Sequence, residues 1–165
     1  VDDAGVCVNA GTPGEISIRS PSVMREYFDE PALTEATLKD GWLLTGDIGY
    51  LDADGFLYHL DRKKDMIIRG GHNIGSLEVE ETFFRHPAVQ EAAVVAVPHP
   101  KLGEDIQAFV VLRPGHSADV EELRTFCLDK LADYKIPRRI AFTDNLPRGP
   151  MGKVLKSELR KWATE

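Results

Sequence analysis

The sequence has little cysteine and no long apolar run. Cys7 and Cys127 lie far apart and form no CxxC pair. Leu123, Phe126 and Leu131 surround Cys127 at helical spacing, which favours a buried free thiol over a reactive one. The longest apolar run, from Ala92 to Pro98, is too short to span a bilayer. The polar first residues contain no secretory signal, so we expect a cytoplasmic protein without a transmembrane segment.

The sequence also lacks an excess of positive charge and several well-known catalytic signatures. Its 27 acidic and 20 basic residues give a net charge of −7, which argues against a general nucleic-acid-binding surface but leaves room for a local basic patch. There is no Walker-type phosphate loop and no GxSxG elbow. The five histidines form no HxxxH or HExxH pair. We therefore expect no nucleic-acid partner and no metal site on these residues.

Residues 1–60 form a segment that is rich in predicted β-strands. Alternating or apolar runs predict four strands and one short helix: strands at Val6–Val8, Glu15–Arg19, Trp42–Tyr50 and Phe56–Leu60, and a helix at Pro31–Leu38. Asp52–Gly55 reads as the turn between the last two strands. The charged run Asp61–Asp65 then breaks the pattern, either as a domain boundary or as an exposed strand end.

Beyond this run helices alternate with strands. Strands are predicted at Met66–Ile68, Ala92–Val97, Ile106–Leu112 and Arg139–Phe142. Three helices are predicted: one begins at Ser76 as its N-cap, one spans Asp119–Leu131 with Ser117 as its cap, and one lies near Lys156–Trp162. This order predicts a small α+β unit with a short central sheet flanked by helices.

The first polar motif is Thr45-Gly46-Asp47, at the end of an apolar strand. A carboxylate in that position can accept hydrogen bonds from two neighbouring hydroxyls, such as those of a ribose. The alternative is an ordinary turn aspartate.

The second polar motif runs from Arg62 to Gly71. Arg62 offers a fork of donors to a hydroxyl or a phosphate. Gly70 and Gly71 allow a ligand or another backbone to approach closely, because neither has a Cβ. A plain hairpin turn is the alternative.

The third polar motif is Gly149-Pro150-Met151-Gly152-Lys153. A lysine on a Gly/Pro-rich loop can be carried into another site, where its charge stabilises negative charge developing around phosphorus. The alternative is a solvated surface lysine.

Together these motifs resemble the C-terminal portion of the adenylate-forming enzymes, and within them the acyl-CoA synthetases. The resemblance covers nearly the whole chain. Four segments carry it: Gly14–Tyr27, Asp40–Leu57, Arg62–Glu80 and Leu146–Lys156. The sequence of Met66–Gly71 is more similar to that of CoA ligases than to that of nonribosomal-peptide adenylation domains.

The resemblance implies a two-step reaction. A carboxylic acid and ATP, with Mg²⁺, give an acyl-adenylate and pyrophosphate, and the thiol of coenzyme A then displaces AMP. Asp47 and Arg62 would bind the nucleotide, and Lys153 would act in adenylation. Gly70 and Gly71 would receive the pantetheine arm.

The resemblance also implies a division of the chain. Residues 1–63 would be the distal β-rich part of a large N-terminal adenylation domain, and residues 64–165 a mobile C-terminal α+β domain that pivots at Lys64. The phosphate-binding loop and the acyl pocket that the resemblance implies are missing from these residues, so we expect a fragment with Val1 at its cut edge and the remaining adenylation domain as its partner. We expect no tightly bound cofactor and no adenylation by the fragment alone. Two alternatives stay open: a stand-alone nucleotide- or partner-binding module, and an adenylating enzyme that loads a carrier protein.

Overall fold

The chain folds into two compact units. The computed structural model describes residues 1–163, and the units are Val1–Lys64 and the residues from Asp65 onward. Both contain strands and helices, so the α+β class predicted from the sequence is confirmed. No helix among the described residues is long and apolar enough to cross a bilayer.

The first unit is a four-stranded antiparallel sheet with one short helix. Its elements are β1 (Gly14–Ile18), α1 (Pro31–Thr37), β2 (Leu38–Lys39), β3 (Trp42–Leu51) and β4 (Leu57–Arg62). Strands β1, β2 and β4 all pair with β3, which is therefore the centre of the sheet. The predicted turn between β3 and β4 is confirmed, since the Asp52 carboxylate accepts from the Asp54 and Phe56 amides and Gly55 has a φ of +85°.

The strand predicted at Val6–Val8 is wrong, because these residues belong to no strand. The Asp2 carboxylate accepts hydrogen bonds from the amides of Ala4 and Val6, and the Asp2 amide donates to the Val6 carbonyl. This local turn uses backbone groups that a strand would need for pairing.

The second unit is a five-stranded sheet with helices on both faces. Its elements are β5 (Ile67–Arg69), β6 (His72–Ile74), α2 (Ser76–Phe84), β7 (Val89–His99), β8 (Gly103–Leu112), α3 (Val120–Leu128), β9 (Arg139–Phe142) and α4 (Lys156–Trp162). Strands β7 and β8 form a long antiparallel hairpin, and β8 also pairs with β5 and, in parallel, with β9.

Two hydrophobic layers hold this sheet. On one face Val94 and Ile106 pack with residues of α2 and α3, including Phe83 and Leu123. On the other face Val95 packs with Leu159 of α4. Burial on both faces explains why β7 contains the continuous apolar run from Ala92 to Pro98, without alternating polar residues. Every fully buried apolar side chain among the described residues lies in this second unit.

Two predicted helix caps are wrong by one or two residues. The residue before α2 is Gly75, and Ser76 is already helical and fully buried. Its hydroxyl accepts a hydrogen bond from Lys156 of α4, at 2.5 Å. The cap of α3 is Asp119, whose carboxylate accepts from the Glu122 amide at 2.8 Å, and Ser117 lies outside. An aspartate nearer the helix competes better for the free amides of the first turn.

The two cysteines are expected to react very differently with a thiol reagent. Cys7 is exposed and Cys127 is fully buried, and burial raises the pKa of the Cys127 thiol to about 11. Because the thiolate is the nucleophile, at pH 8 we expect rapid labelling of Cys7 and labelling of Cys127 only in denaturant. Counting modified thiols by mass checks this, with Cys7→Ser as the control. Rapid native-state labelling of the Cys7→Ser variant would contradict the buried position.

Candidate active site

An irregularity in the first sheet shapes the surroundings of Asp47. Glu15 pairs with Ile48 and Ser17 pairs with Leu44, so residues 45–47 of β3 all lie opposite Ile16. Gly46 takes a φ of +72°, a conformation that glycine adopts without steric cost. The ladder is interrupted here, and side chains supply the missing partners.

Two side chains satisfy the backbone of this bulge. The Thr45 hydroxyl donates to the Ile16 carbonyl at 2.7 Å and accepts from the Asp47 amide at 3.1 Å. The Glu15 carboxylate accepts from the Gly46 amide at 3.0 Å. Threonine, glycine and aspartate each therefore have a distinct local role, and the turn-aspartate alternative is wrong because Asp47 lies within a strand.

The Asp47 carboxylate meets Arg62 across the β3–β4 pair. The two residues are register partners, and Arg62 Nε lies 3.1 Å from Asp47 Oδ1. His59 Nε2 lies 3.8 Å from the same oxygen. Among residues 1–163, no hydrogen bond reaches Asp47 Oδ2. Arg62 thus holds one oxygen of a part-exposed carboxylate, and the other oxygen is available to accept hydroxyl groups.

Gly70 and Gly71 form the turn of the β5–β6 hairpin. Arg69 pairs with His72, and both glycines have positive φ, +57° and +84°. Positive φ at both positions makes this a two-residue type I′ turn, which explains the pair of glycines. A Cβ on Gly71 would meet no atom within 4 Å, so this residue borders open space. At this position a hairpin turn is therefore compatible with close approach of a ligand to the backbone.

Lys153 lies on a tight, separately braced loop. Arg148 and Val154 form a β-bridge, the Gly149 amide donates to the Lys153 carbonyl, and Gly152 has a φ of +76°. The Lys153 side chain is exposed. Its ammonium makes no hydrogen bond or ion pair with any residue of the described part of the chain. A charged group held this way can bind an anion outside its own unit.

An arginine that the sequence reading missed braces the Lys153 loop. Arg148 Nη1 donates to the Gly152 carbonyl at 2.6 Å, and Nη2 contacts the Glu91 carboxylate of β7 at 2.5 Å. In the sequence, the only indication of a role for Arg148 is its place in the basic loop that leads to Lys153. Its partner is distant in sequence, so no local signal pointed to Glu91.

Lys64 lies where the chain passes from one unit to the other. It belongs to a 3-10 turn, Lys63–Asp65. Lys63 is tied within the first unit to Asp3 and Glu15, and these hydrogen bonds raise the pKa of Lys63 and lower that of Asp3. Asp65 is tied within the second unit to Arg160 of α4 at 2.6 Å.

The charged run that includes this turn is therefore only partly solvated. Asp61 and Asp65 are buried, and Arg62, Lys63 and Lys64 are exposed. Both sequence interpretations hold in part, because β4 ends at Arg62 and the unit boundary follows Lys64.

Comparison with known proteins gives consistent matches. Residues 78–153 match the family described as the AMP-binding enzyme C-terminal domain. The chain is 49% identical over 152 residues to the long-chain-fatty-acid–CoA ligase of Bacillus subtilis (strain 168), covering 92% of this chain and 27% of that protein. It is 48% identical over 150 residues to the sulfoacetate–CoA ligase of Cupriavidus necator, covering 90% and 30%.

A solved structure shares the same fold. The o-succinylbenzoate CoA synthetase of Bacillus subtilis, in complex with its acyl-adenylate intermediate, superposes with a TM-score of 0.91 at 42% identity, covering 97% of this chain and 32% of that one. The chain thus spans between 27% and 32% of the length of these three proteins.

Proposed function

Since this chain belongs to the adenylate-forming enzymes, in which it corresponds to the C-terminal portion, we propose that the protein carrying it joins a carboxylic acid to coenzyme A at the expense of ATP. In the first step the carboxylate attacks the α-phosphorus of ATP, which gives an acyl-adenylate and releases pyrophosphate. In the second step the thiol attacks the acyl carbon, and AMP leaves with the electrons of the broken acyl–oxygen bond.

The observation that carries this proposal is the similarity to CoA ligases over at least nine-tenths of the chain. The acids for which two of these relatives are named differ widely, a long-chain fatty acid and sulfoacetate, although the two are 49% and 48% identical to this chain. Coenzyme A is what these names share. The proposal therefore specifies the acceptor and leaves the acid to a substrate screen.

Burial supports a divided role for the two units. The first unit contributes no fully buried apolar side chain, whereas the second has a two-layered core of its own. We propose that the first unit completes its core against the rest of a large adenylation domain, and that the second is the small domain that moves about Lys64 between the two steps.

The exposed ammonium of Lys153 suits the adenylation step. When a carboxylate attacks an anionic nucleotide, two negatively charged reactants come together, and the phosphoryl oxygens also carry negative charge. A pre-positioned cation stabilises that charge most where water is excluded. We assign Lys153 this catalytic role.

Asp47 and Arg62 suit the nucleotide, and the Gly70-Gly71 turn suits the acceptor. A carboxylate with one oxygen available can accept both hydroxyls of a ribose, and the contact with Arg62 orients it. A turn without side chains leaves space along its backbone for a narrow, extended arm such as pantetheine.

Mg²⁺ would enter the proposed reaction bound to the phosphates of ATP. Among residues 1–163, no group of three His, Cys, Asp or Glu side chains is arranged to hold a metal ion.

The isosteric change Asp47→Asn is expected to raise the KM for ATP in the full-length protein roughly ten- to a hundredfold. The amide keeps one acceptor oxygen but loses the charge, and hydrogen bonds to charged groups contribute roughly 1.5–3 kcal/mol. Initial-rate measurements of pyrophosphate release against ATP concentration check this. Asp54→Asn, in the exposed turn after β3, is the matched control. Equal effects of the two changes would contradict the assignment.

The proposed activity itself is tested by CoA-dependent AMP release from the full-length protein across a panel of carboxylic acids. The isolated 165-residue chain should release no pyrophosphate. Holo-carrier protein as a second acceptor tests the remaining alternative of carrier loading. The comparisons do not favour the stand-alone module. Cytoplasmic location stays a prediction.

A further inference from the structure

A buried ion pair lies directly before the Gly70-Gly71 turn. Arg69 ends β5, Asp105 lies in β8, and their side chains are 6% and 5% exposed. Arg69 Nε lies 2.8 Å from Asp105 Oδ1. This Nε makes no directed hydrogen bond within the described residues, so its attraction to Asp105 is Coulombic. The Asp105 carboxylate also accepts from the Ile106 amide at 2.9 Å.

The same guanidinium reaches a third segment. Arg69 Nη1 donates to the backbone carbonyl of Tyr134 at 2.6 Å, in the 3-10 turn Asp133–Lys135 that precedes β9. The planar guanidinium offers donors in several fixed directions, which an ammonium does not. Arg69 thus joins the start of the glycine turn to β8 and to the segment before β9.

Backbone contacts to β8 and to the segment before it also reach the turn. The single register pair between β5 and β8 is Arg69 with Gly103, and the Gly70 amide donates to the Leu102 carbonyl at 2.9 Å. Gly71 borders open space. Since neither glycine has a side chain to pack, the turn is positioned by the residues that flank it: Arg69 before it, and His72 after it, whose ring stacks on Tyr134 at a centroid distance of 4.3 Å.

Stability alone does not account for this pair. Burying two charges is costly, and apolar replacements of similar volume often stabilise a protein as well or better. A buried ion pair can instead fix one geometry among several. Lys153 has its own brace, the Arg148–Glu91 contact, which shares no residue with the Arg69 contacts.

We propose that Arg69 and Asp105 are positioning residues for the thioester step, because together they hold the Gly70-Gly71 turn where the acceptor's arm must pass. This rests on the proposed function and extends it to two residues that touch neither substrate. The adenylation step does not depend on them.

The test uses the full-length protein with two variants. Arg69→Met with Asp105→Leu removes both charges and leaves neither unpaired, so folding is preserved better than by either single change. Arg69→Lys keeps the charge beside Asp105 but loses the second donor to Tyr134. The exposed pair on α4, Glu158→Gln with Lys161→Met, is the matched control.

Two rates are measured for each protein: pyrophosphate release from ATP and acid, and thioester formation from supplied acyl-adenylate against CoA concentration. The double variant should raise the KM for CoA about ten- to a hundredfold, as expected for a displaced binding element, with adenylation little changed. The KM for CoA of the Arg69→Lys variant should lie between those of the double variant and the wild type. The control pair should alter neither rate.

Equal loss of both steps would show a structural role and overturn the proposal, and so would an unchanged KM for CoA. If the double variant unfolds, an unchanged KM in Arg69→Lys overturns the proposal and a raised one with intact adenylation supports it. A wild-type protein that makes acyl-adenylate but no CoA thioester would instead overturn the proposed function.

Discussion

Replacing Lys153 with alanine in the complete enzyme should slow acyl-adenylate formation roughly a hundred- to a thousandfold, the usual cost of removing one preorganised electrostatic contact. Thioester formation from supplied acyl-adenylate should be nearly unchanged. The asymmetry follows from the chemistry, because the first step joins two anions at phosphorus whereas the second begins from a neutral thiol and an activated acyl group.

The position of Lys153 supports so selective an effect. Its side chain is exposed and has no partner among the described residues, while the loop that bears it is held by Arg148 and by the bridge to Val154. Truncating the side chain therefore removes a charge without removing a structural contact. The domain should remain folded.

The two half-reactions are measured separately, by pyrophosphate release and by thioester formation. Lys101→Ala is the matched control, because Lys101 is also an exposed lysine in a loop of the same unit. Equal loss in both steps, or a similar loss in the control, would count against the catalytic assignment of Lys153.

Replacing Phe83 with alanine should lower the free energy of unfolding of the second unit by about 3–5 kcal/mol. Phe83 is fully buried on α2, in the layer formed with β7, β8 and α3. The loss combines the transfer energy of the ring with the cavity that it leaves. It is a large part of the roughly 5–15 kcal/mol by which a domain is stable.

The next residue provides the control. Phe84 has the same chemistry and the same helix but is 47% exposed, so Phe84→Ala should cost about 1 kcal/mol or less. Urea unfolding followed by circular dichroism measures both. A loss of similar size in the two variants would mean that the buried face of α2 is assigned wrongly.

Local patterns predicted most of the elements. The strand at Arg139–Phe142 and the helix at Lys156–Trp162 have the predicted bounds, and the strands over Trp42–Tyr50 and Ala92–Val97 extend one to several residues further. These segments have strong periodicity or continuous apolar character, and their neighbours along the chain contain clear turn residues. The α+β class follows from their order.

The errors arise where another residue uses a group to which the sequence prediction gave a local role. Ser76 has the chemistry of a helix cap, but Lys156, far along the chain, uses its hydroxyl. Val6–Val8 has the composition of a strand, but the Asp2 carboxylate draws its backbone into a turn. The first competition joins residues 80 apart and is invisible in a window of a few residues, whereas the second lies within five residues of chain.

The sequence by itself determined the family, because four motifs occur in one order, and it named Asp47, Arg62, Gly70, Gly71, Lys64 and Lys153 as candidates. These candidates could be recognised from sequence because each residue type has its own chemistry: charge, hydrogen-bond donors or the lack of a Cβ. Only the tertiary structure decided how each is held. It paired Asp47 with Arg62 across two strands, braced the Lys153 loop with Arg148 and Glu91, and placed Arg69 against Asp105. These partners are 15 to 57 residues apart in the chain, and a contact over that distance exists only once the sheets have set their register.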